Sequence, residues 1–140
     1  MKFLATSFFL LVIAFAASAA MPYTLFRENG KVGLKNEAGE VVIPAKYEGI
    51  GWSNGKFSVV ENVTGCKSGN AWGLISLSNQ QVTKHEFDEL LPGESNILIA
   101  RKKSPNSPRA LIGAISSSGK EIIPFVYDGI IISSLRAIVF

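Results

Sequence analysis

One stretch of this chain returns. Val32–Ile50 reads VGLKNEAGEVVIPAKYEGI and Ile112–Ile130 reads IGAISSSGKEIIPFVYDGI, with a worn copy, WGLISLSNQQVTKHEFDEL, at Trp72–Leu90 between them. Gly33, Gly73 and Gly113 anchor the copies at even steps. A fixed period of about 40 residues is the signature of a repeat architecture, in which no unit can bury its apolar face alone and neighbours must bury each other.

Each copy reads as strands. Tyr23 to Arg27 alternates apolar with polar residues, as a half-buried strand does. Asn29-Gly30 is a two-residue hairpin signal, since both residues tolerate positive φ, and Lys31 to Lys35 is the return strand. Asn36 to Gly39 is a polar turn with Gly39 in the left-handed position. Glu40 to Ile43 is a third strand that Pro44, lacking an N–H, is expected to end. Tyr47 to Ile50 makes a fourth brief strand or bend, and a Gly/Ser/Asn loop carrying Trp52 follows.

Aligned on the glycines, FSVVE (Phe57 to Glu61), ILIAR (from Ile97) and AIVF (from Ala137) predict a strand in every cycle. The linking hairpins then fall at Asn29-Gly30, Asn62 to Ala71 and Lys103 to Ala110. No helical period occurs outside the N-terminal segment. The expected fold is all-β, with about ten short strands in three tandem antiparallel meander units of about 40 residues. The units run roughly over 23–56, 57–96 and 97–140 and stack in a propeller-like array, with a closed β-trefoil-like barrel as the alternative.

The first residues read differently. Lys2, the apolar run Phe8 to Phe15 and the small residues Ala17-Ser18-Ala19 have the form of a signal peptide over residues 1–19, cleaved near Ala19. The apolar run is shorter than the ~20 residues of a membrane span, so the expectation is an exported chain with no transmembrane segment after cleavage. Residues 20–140 are then a single domain of about 120 residues, enough for a real core. They carry 13 basic and 11 acidic residues, too mild a balance for the basic stripe of a nucleic-acid binder. Cys66 is the only cysteine, so packing rather than disulfides must hold the fold.

An aromatic stands at the same offset after each anchor glycine: Tyr47, Phe87 and Tyr127. The natural inference is that its ring covers the bare glycine backbone. An acid comes next each time, Glu48, Asp88 and Asp128, but symmetry would spread these over three equivalent turns. A glycosidase-type pair needs its carboxylates about 5–9.5 Å apart across one bond.

These units resemble WG repeats, a bacterial family named for a Trp-Gly pair at the start of a strand. Trp72-Gly73 carries that pair. Val41-Val42-Ile43-Pro44-Ala45-Lys46-Tyr47-Glu48 and Glu121-Ile122-Ile123-Pro124-Phe125-Val126-Tyr127-Asp128 carry the aliphatic-Ile-Pro strand end and the Tyr-acid step. Val32 and Ile112 stand where the outer copies would have tryptophan, Lys84 where the middle copy would have proline, and Asn79 where it would have glycine. The resemblance implies an exported binding or scaffolding module.

Candidate site residues are few. Trp52 has no aromatic counterpart in the other copies, so it is a candidate for contacting a partner or stacking on a sugar ring, or equally for anchoring its loop by hydrophobic contact. Trp72, at a repeated strand position, is expected in the core. Arg101, Lys102, Lys103 and Arg109 flank a Ser-Pro-Asn-Ser-Pro tip and form a candidate anionic-surface site, or a solvated hairpin end. His85, the only histidine, has no nucleophile arranged with it in the sequence, and no serine stands in a nucleophile elbow. No catalytic residue, metal site or cofactor is expected. The reading is a non-enzymatic interaction module whose partner is a protein or an envelope polysaccharide, with an exported enzyme as the remaining alternative. The terminal strands Tyr23 to Arg27 and Arg136 to Phe140 would be exposed edges in an open array.

Overall fold

The computed structural model describes residues 22–132 and 137–140, so the leader expected at 1–19 lies outside them. The described residues form strands β1 (Tyr23–Glu28), β2 (Lys31–Asn36), β3 (Val41–Tyr47), β4 (Gly49–Ile50), β5 (Val63–Ser68) and β6 (Ala71–Ser76). They continue with β7 (Glu89–Pro92), β8 (Leu98–Lys103), β9 (Ala110–Ile115), β10 (Glu121–Tyr127), β11 (Ile130–Ile132) and β12 (Ala137–Val139). The fold is all-β. Its sheets, ordered β1-β2-β3, β4-β5-β6, β10-β9-β8-β7 and β11-β12, are antiparallel. Among the described residues each sheet is open at both ends, which sets aside the closed barrel.

Local chemistry explains the turns. Asn29 (φ 51°) and Gly30 (φ 76°) take the positive angles that a tight hairpin between β1 and β2 demands. Three later turns close with one hydrogen-bond pattern. The N–H groups of Asn36, Ser76 and Ser116 donate to the carbonyls of Glu40, Gln80 and Lys120 at 2.8–2.9 Å. Gly39, Asn79 and Gly119 donate back at 2.9–3.0 Å, all three with positive φ. Asn79 can replace glycine because asparagine is among the residues that best tolerate the left-handed region.

Several expectations need correction. Pro44 does not end its strand, since β3 runs through it to Tyr47, and Pro124 sits likewise inside β10. Both strands are sheet edges, where a missing N–H leaves no ladder bond unmade. In the middle copy Val82 and Thr83 form no third strand, and only the isolated bridges Ile75↔Gln81 and Trp72↔Phe87 remain. The Thr83 hydroxyl accepts the Leu74 N–H (2.9 Å), taking the backbone partner that a ladder would use.

Phe57 to Glu61 is not a strand either. Glu61 and Asn62 both have positive φ and turn the chain into β5, which a two-residue turn at Gly69 and Asn70 joins to β6. The even spacing of the glycines conceals two opposite changes in length. The connection from Ile50 to its junction partner Cys66 is longer than the one from Leu90 to Ala100. The hairpin from Cys66 to its partner Gly73 is shorter than the one from Ala100 to Gly113. What the connection loses the hairpin gains, and the step between glycines stays constant.

The rings expected over the anchor glycines are also different ones. A Cβ on Gly33 would lie 2.7 Å from the Ile43 carbonyl oxygen and 2.5 Å from the Phe26 ring. On Gly113 it would meet the Ile123 carbonyl (2.7 Å) and Phe125 (2.8 Å), and on Gly73 the Lys84 carbonyl (3.0 Å) and His85 (3.2 Å). Register shifts in β3 and β10 accompany these close carbonyls, so glycine is needed chiefly for backbone approach. Tyr47, Phe87 and Tyr127 instead lie opposite Val32, Trp72 and Ile112, each the residue just before its glycine.

The core has two parts. Val32, Leu34, Ile43, Tyr47 and Ile50 pack with Cys66 and Ile75 of the next sheet. Val63, Leu74, Phe87 and Leu90 pack with Leu98, Ala100, Ile115 and Phe125, around Trp52. Each part draws on successive hairpins, so neither hairpin alone would bury its own apolar face.

Candidate functional site

Trp52 is not a surface residue. It is 1% exposed and belongs to the second core cluster. Its loop is held at both ends: the Gly51 N–H donates to the Gly65 carbonyl (2.9 Å) and the Ser53 N–H to the Leu90 carbonyl (3.0 Å). The indole N–H donates to Ser58 Oγ (2.6 Å), satisfying the one polar group that burial would otherwise strand. The loop folds inward, and Trp52 serves as its anchor.

The other tryptophan lines a groove. A cavity of about 500 Å³ opens between Leu25, Phe26 and Arg27 of β1, Glu48 and Gly49, and Trp72 of β6, with Ile50 and the buried Trp52 also reaching its lining. That volume lies within the range of ligand sites. Trp72 is half-buried, braced against the core on one side, with the Lys67 ammonium 5.9 Å from its ring centroid. Gly49 lies beside the indole, where a Cβ would rest in van der Waals contact with the ring at 3.4 Å, so a larger side chain there would extend into the groove. Glu48 accepts from Lys31 Nζ (2.7 Å) and from the Gly69 N–H (3.1 Å). The Lys31 contact leads in holding its carboxyl below the ordinary carboxylate range. The groove thus offers an aromatic wall, a cation at Arg27 and a fixed carboxylate, a set suited to binding an amphipathic group.

The basic cluster is dispersed. Arg101 Nε lies 3.2 Å from Glu89, close as an ion pair though not aligned as a hydrogen bond. Lys102 reaches Glu86 at 3.4 Å and lies 4.5 Å over the Phe125 ring, while Arg109 approaches Asp128 at 3.9 Å. Lys103 is exposed at the end of β8. Strand alternation puts Lys102 on the face opposite Arg101 and Lys103. Three of the four cations have an acidic neighbour, which lowers the local field an anionic surface would feel.

The structure also brings together a pair that sequence spacing hid. Cys66 Sγ lies 3.2 Å from His85 Nε2, and the Tyr47 ring centroid is 6.0 Å from that of His85. Cys66 stands opposite Gly73, whose missing side chain admits the imidazole. The strand register would have revealed this pairing; the distance between the two along the chain does not. Burial pushes the thiol up to about 12, the nearby Lys46 opposing weakly, and burial lowers His85 against the pull of Glu48. A protonated thiol beside a neutral imidazole is the opposite of an activated nucleophile. The acids Glu48, Asp88 and Asp128 stay apart, and their backbone N–H groups donate to the carbonyls of Lys67, Arg101 and Phe140 at 2.7–2.9 Å.

Two segments, residues 33–62 and 112–132, match the family model described as WG containing repeat. These two segments are WG repeats. Trp72-Gly73 lies outside both matched segments, which contain Pro44 and Pro124. No curated protein and no solved structure matches the chain.

Proposed function

We propose that this chain is a stack of three WG units serving as an exported, non-enzymatic binding module, with the Trp72 groove as its receptor site. The observation that carries the reading is the groove itself, where an indole face, a cation and a positioned carboxylate line a space of ligand size. The identical turn closures at 36–40, 76–80 and 116–120 support the three-unit description, as does a core that every neighbouring hairpin shares. The raised Cys66 and the separated acids favour binding over turnover. The expected partner is a protein segment. An envelope polysaccharide is the second reading, favoured by the half-exposed Trp72 ring, which can stack on a sugar face.

The test is capture from an envelope extract of the producing cells, comparing wild type with Gly49→Leu, which fills the groove, and Arg27→Glu, which reverses its cation. The reading expects at least a tenfold loss of the captured species with each variant while far-ultraviolet circular dichroism is unchanged. Equal capture by all three proteins would remove the groove from the function. A captured species that is polysaccharide would favour the second reading.

A further inference from the structure

The same junction joins one hairpin to the next along the chain. At the first, β4 lies on β5 with Gly49 opposite Lys67 and Ile50 opposite Cys66. At the second, β7 lies on β8 with Glu89 opposite Arg101, Leu90 opposite Ala100 and Leu91 opposite Ile99. At the third, β11 lies on β12 with Ile130 opposite Val139 and Ile131 opposite Ile138. The preceding acid's N–H caps each junction on the next carbonyl along: Glu48 on Lys67, Asp88 on Arg101, Asp128 on Phe140. Strand β12 therefore occupies the slot of β5 and β8.

Strand β1 is of that same kind. It lies on β2 with Phe26 opposite Gly33, as β5 lies on β6 with Cys66 opposite Gly73 and β8 on β9 with Ala100 opposite Gly113. Among the described residues no strand covers its other edge, the edge that β4 and β7 cover on β5 and β8. Conversely, among the same residues, β12 has β11 on one side and no β2-type strand on the other. Among the described residues, the uncovered edge of β1 is therefore complementary to a strand of the β4, β7 and β11 kind.

We infer that β11 of one copy pairs with the outer edge of β1 of a second copy, displacing its own β12 and joining chains head to tail. The occupant is set by continuity with the junctions inside the chain: Ile130 would lie opposite Phe26, Ile131 opposite Leu25, and the Asp128 N–H would donate to the Arg27 carbonyl. Charge agrees, because Asp128 would approach Arg27 and the Asn29 amide as Glu48 approaches the Gly69 amide at 3.1 Å. Release of β12 uncovers Gly129, which lies under the Phe140 ring, while Ile138, Val139 and Phe140 are already 50%, 36% and 65% exposed. Pairing would cover Leu25 and Ile131, exposed at 40% and 56%, and would close an unpaired strand edge. The inference goes beyond the groove reading, and because the junction shares Leu25, Phe26 and Arg27 with the groove, a docked strand would compete with a groove ligand.

The experiment is a cysteine trap in the full chain. Leu25→Cys with Ile131→Cys, oxidised mildly by glutathione disulfide, should give a ladder of interchain disulfides on a non-reducing gel. Leu25→Cys with Val41→Cys, which exchanges Ile131 for a position as exposed but outside the junction, should give none. Sedimentation of the wild type supplies a second readout free of engineered thiols. Its average mass should at least double between dilute and concentrated samples, and Ile131→Lys should abolish that rise. A chain that stays monomeric throughout, or a ladder no stronger than that of the control pair, overturns the inference.

Discussion

The two tryptophans exchange the places that their sequence surroundings suggest. Trp52 lies in a connection rich in Gly, Ser and Asn, the composition of an exposed loop, yet it is sealed in the core. Trp72 lies on β6 at a repeated position, the expected place for a core residue, yet its ring forms the wall of a groove. The difference lies in the connection lengths. Between Ile50 and β5 the chain has room to fold back and cap the next core, whereas the short link from β7 to β8 holds only a single 3-10 turn at Glu94–Asn96. In a repeat array, exposure follows from how each connection closes the core beside it.

This contrast can be broken at several points. Trp52→Ala should have the largest effect, a loss of about 3–5 kcal/mol, since it empties a fully buried aromatic site; denaturant unfolding measures it. Gly65→Ala comes next. A Cβ there would collide with the Gly51 carbonyl and press on the Trp52 indole, which holds the loop in place. Overpacking of this kind costs about 1–3 kcal/mol, and the indole emission should shift as the loop is pushed outward. Ser58→Ala strands the buried indole N–H and should cost about 1–2 kcal/mol.

A pH series sharpens the comparison between the two core clusters. Cys66 titrates near 9 ordinarily and is pushed up to about 12 by burial. The native state therefore holds this proton more tightly than the unfolded chain. The associated stability is fully present below about pH 9 and is lost as pH rises from there toward 12. Cys66→Ala should flatten that alkaline decline, and in the wild type the thiol should resist alkylation at pH 8 until the protein unfolds.

The strand pattern, the hairpin at Asn29-Gly30 and the left-handed turn at Gly39 were legible because period-two alternation and positive-φ residues act locally. The inward turn of the Trp52 loop was not, because it depends on Leu90, a residue distant along the chain. The even glycine spacing itself misled, since a constant step hides an exchange of length between a connection and a hairpin. Pro44 misled for a related reason: whether a strand tolerates proline depends on its being an edge, a property of the sheet. The groove was equally invisible, because it forms only when β1, β4 and β6 are set side by side.

The most direct test compares Trp52→Ala and Trp72→Ala in one experiment, measuring the unfolding midpoint and the recovery of the captured partner for each. The account predicts that Trp52→Ala lowers the midpoint most. Trp72→Ala should cost only about 1–2 kcal/mol, as befits a half-buried side chain, while abolishing capture by the folded protein. Retained capture with Trp72→Ala, or a Trp52→Ala protein as stable as wild type, would contradict the division between an anchoring and a receiving tryptophan.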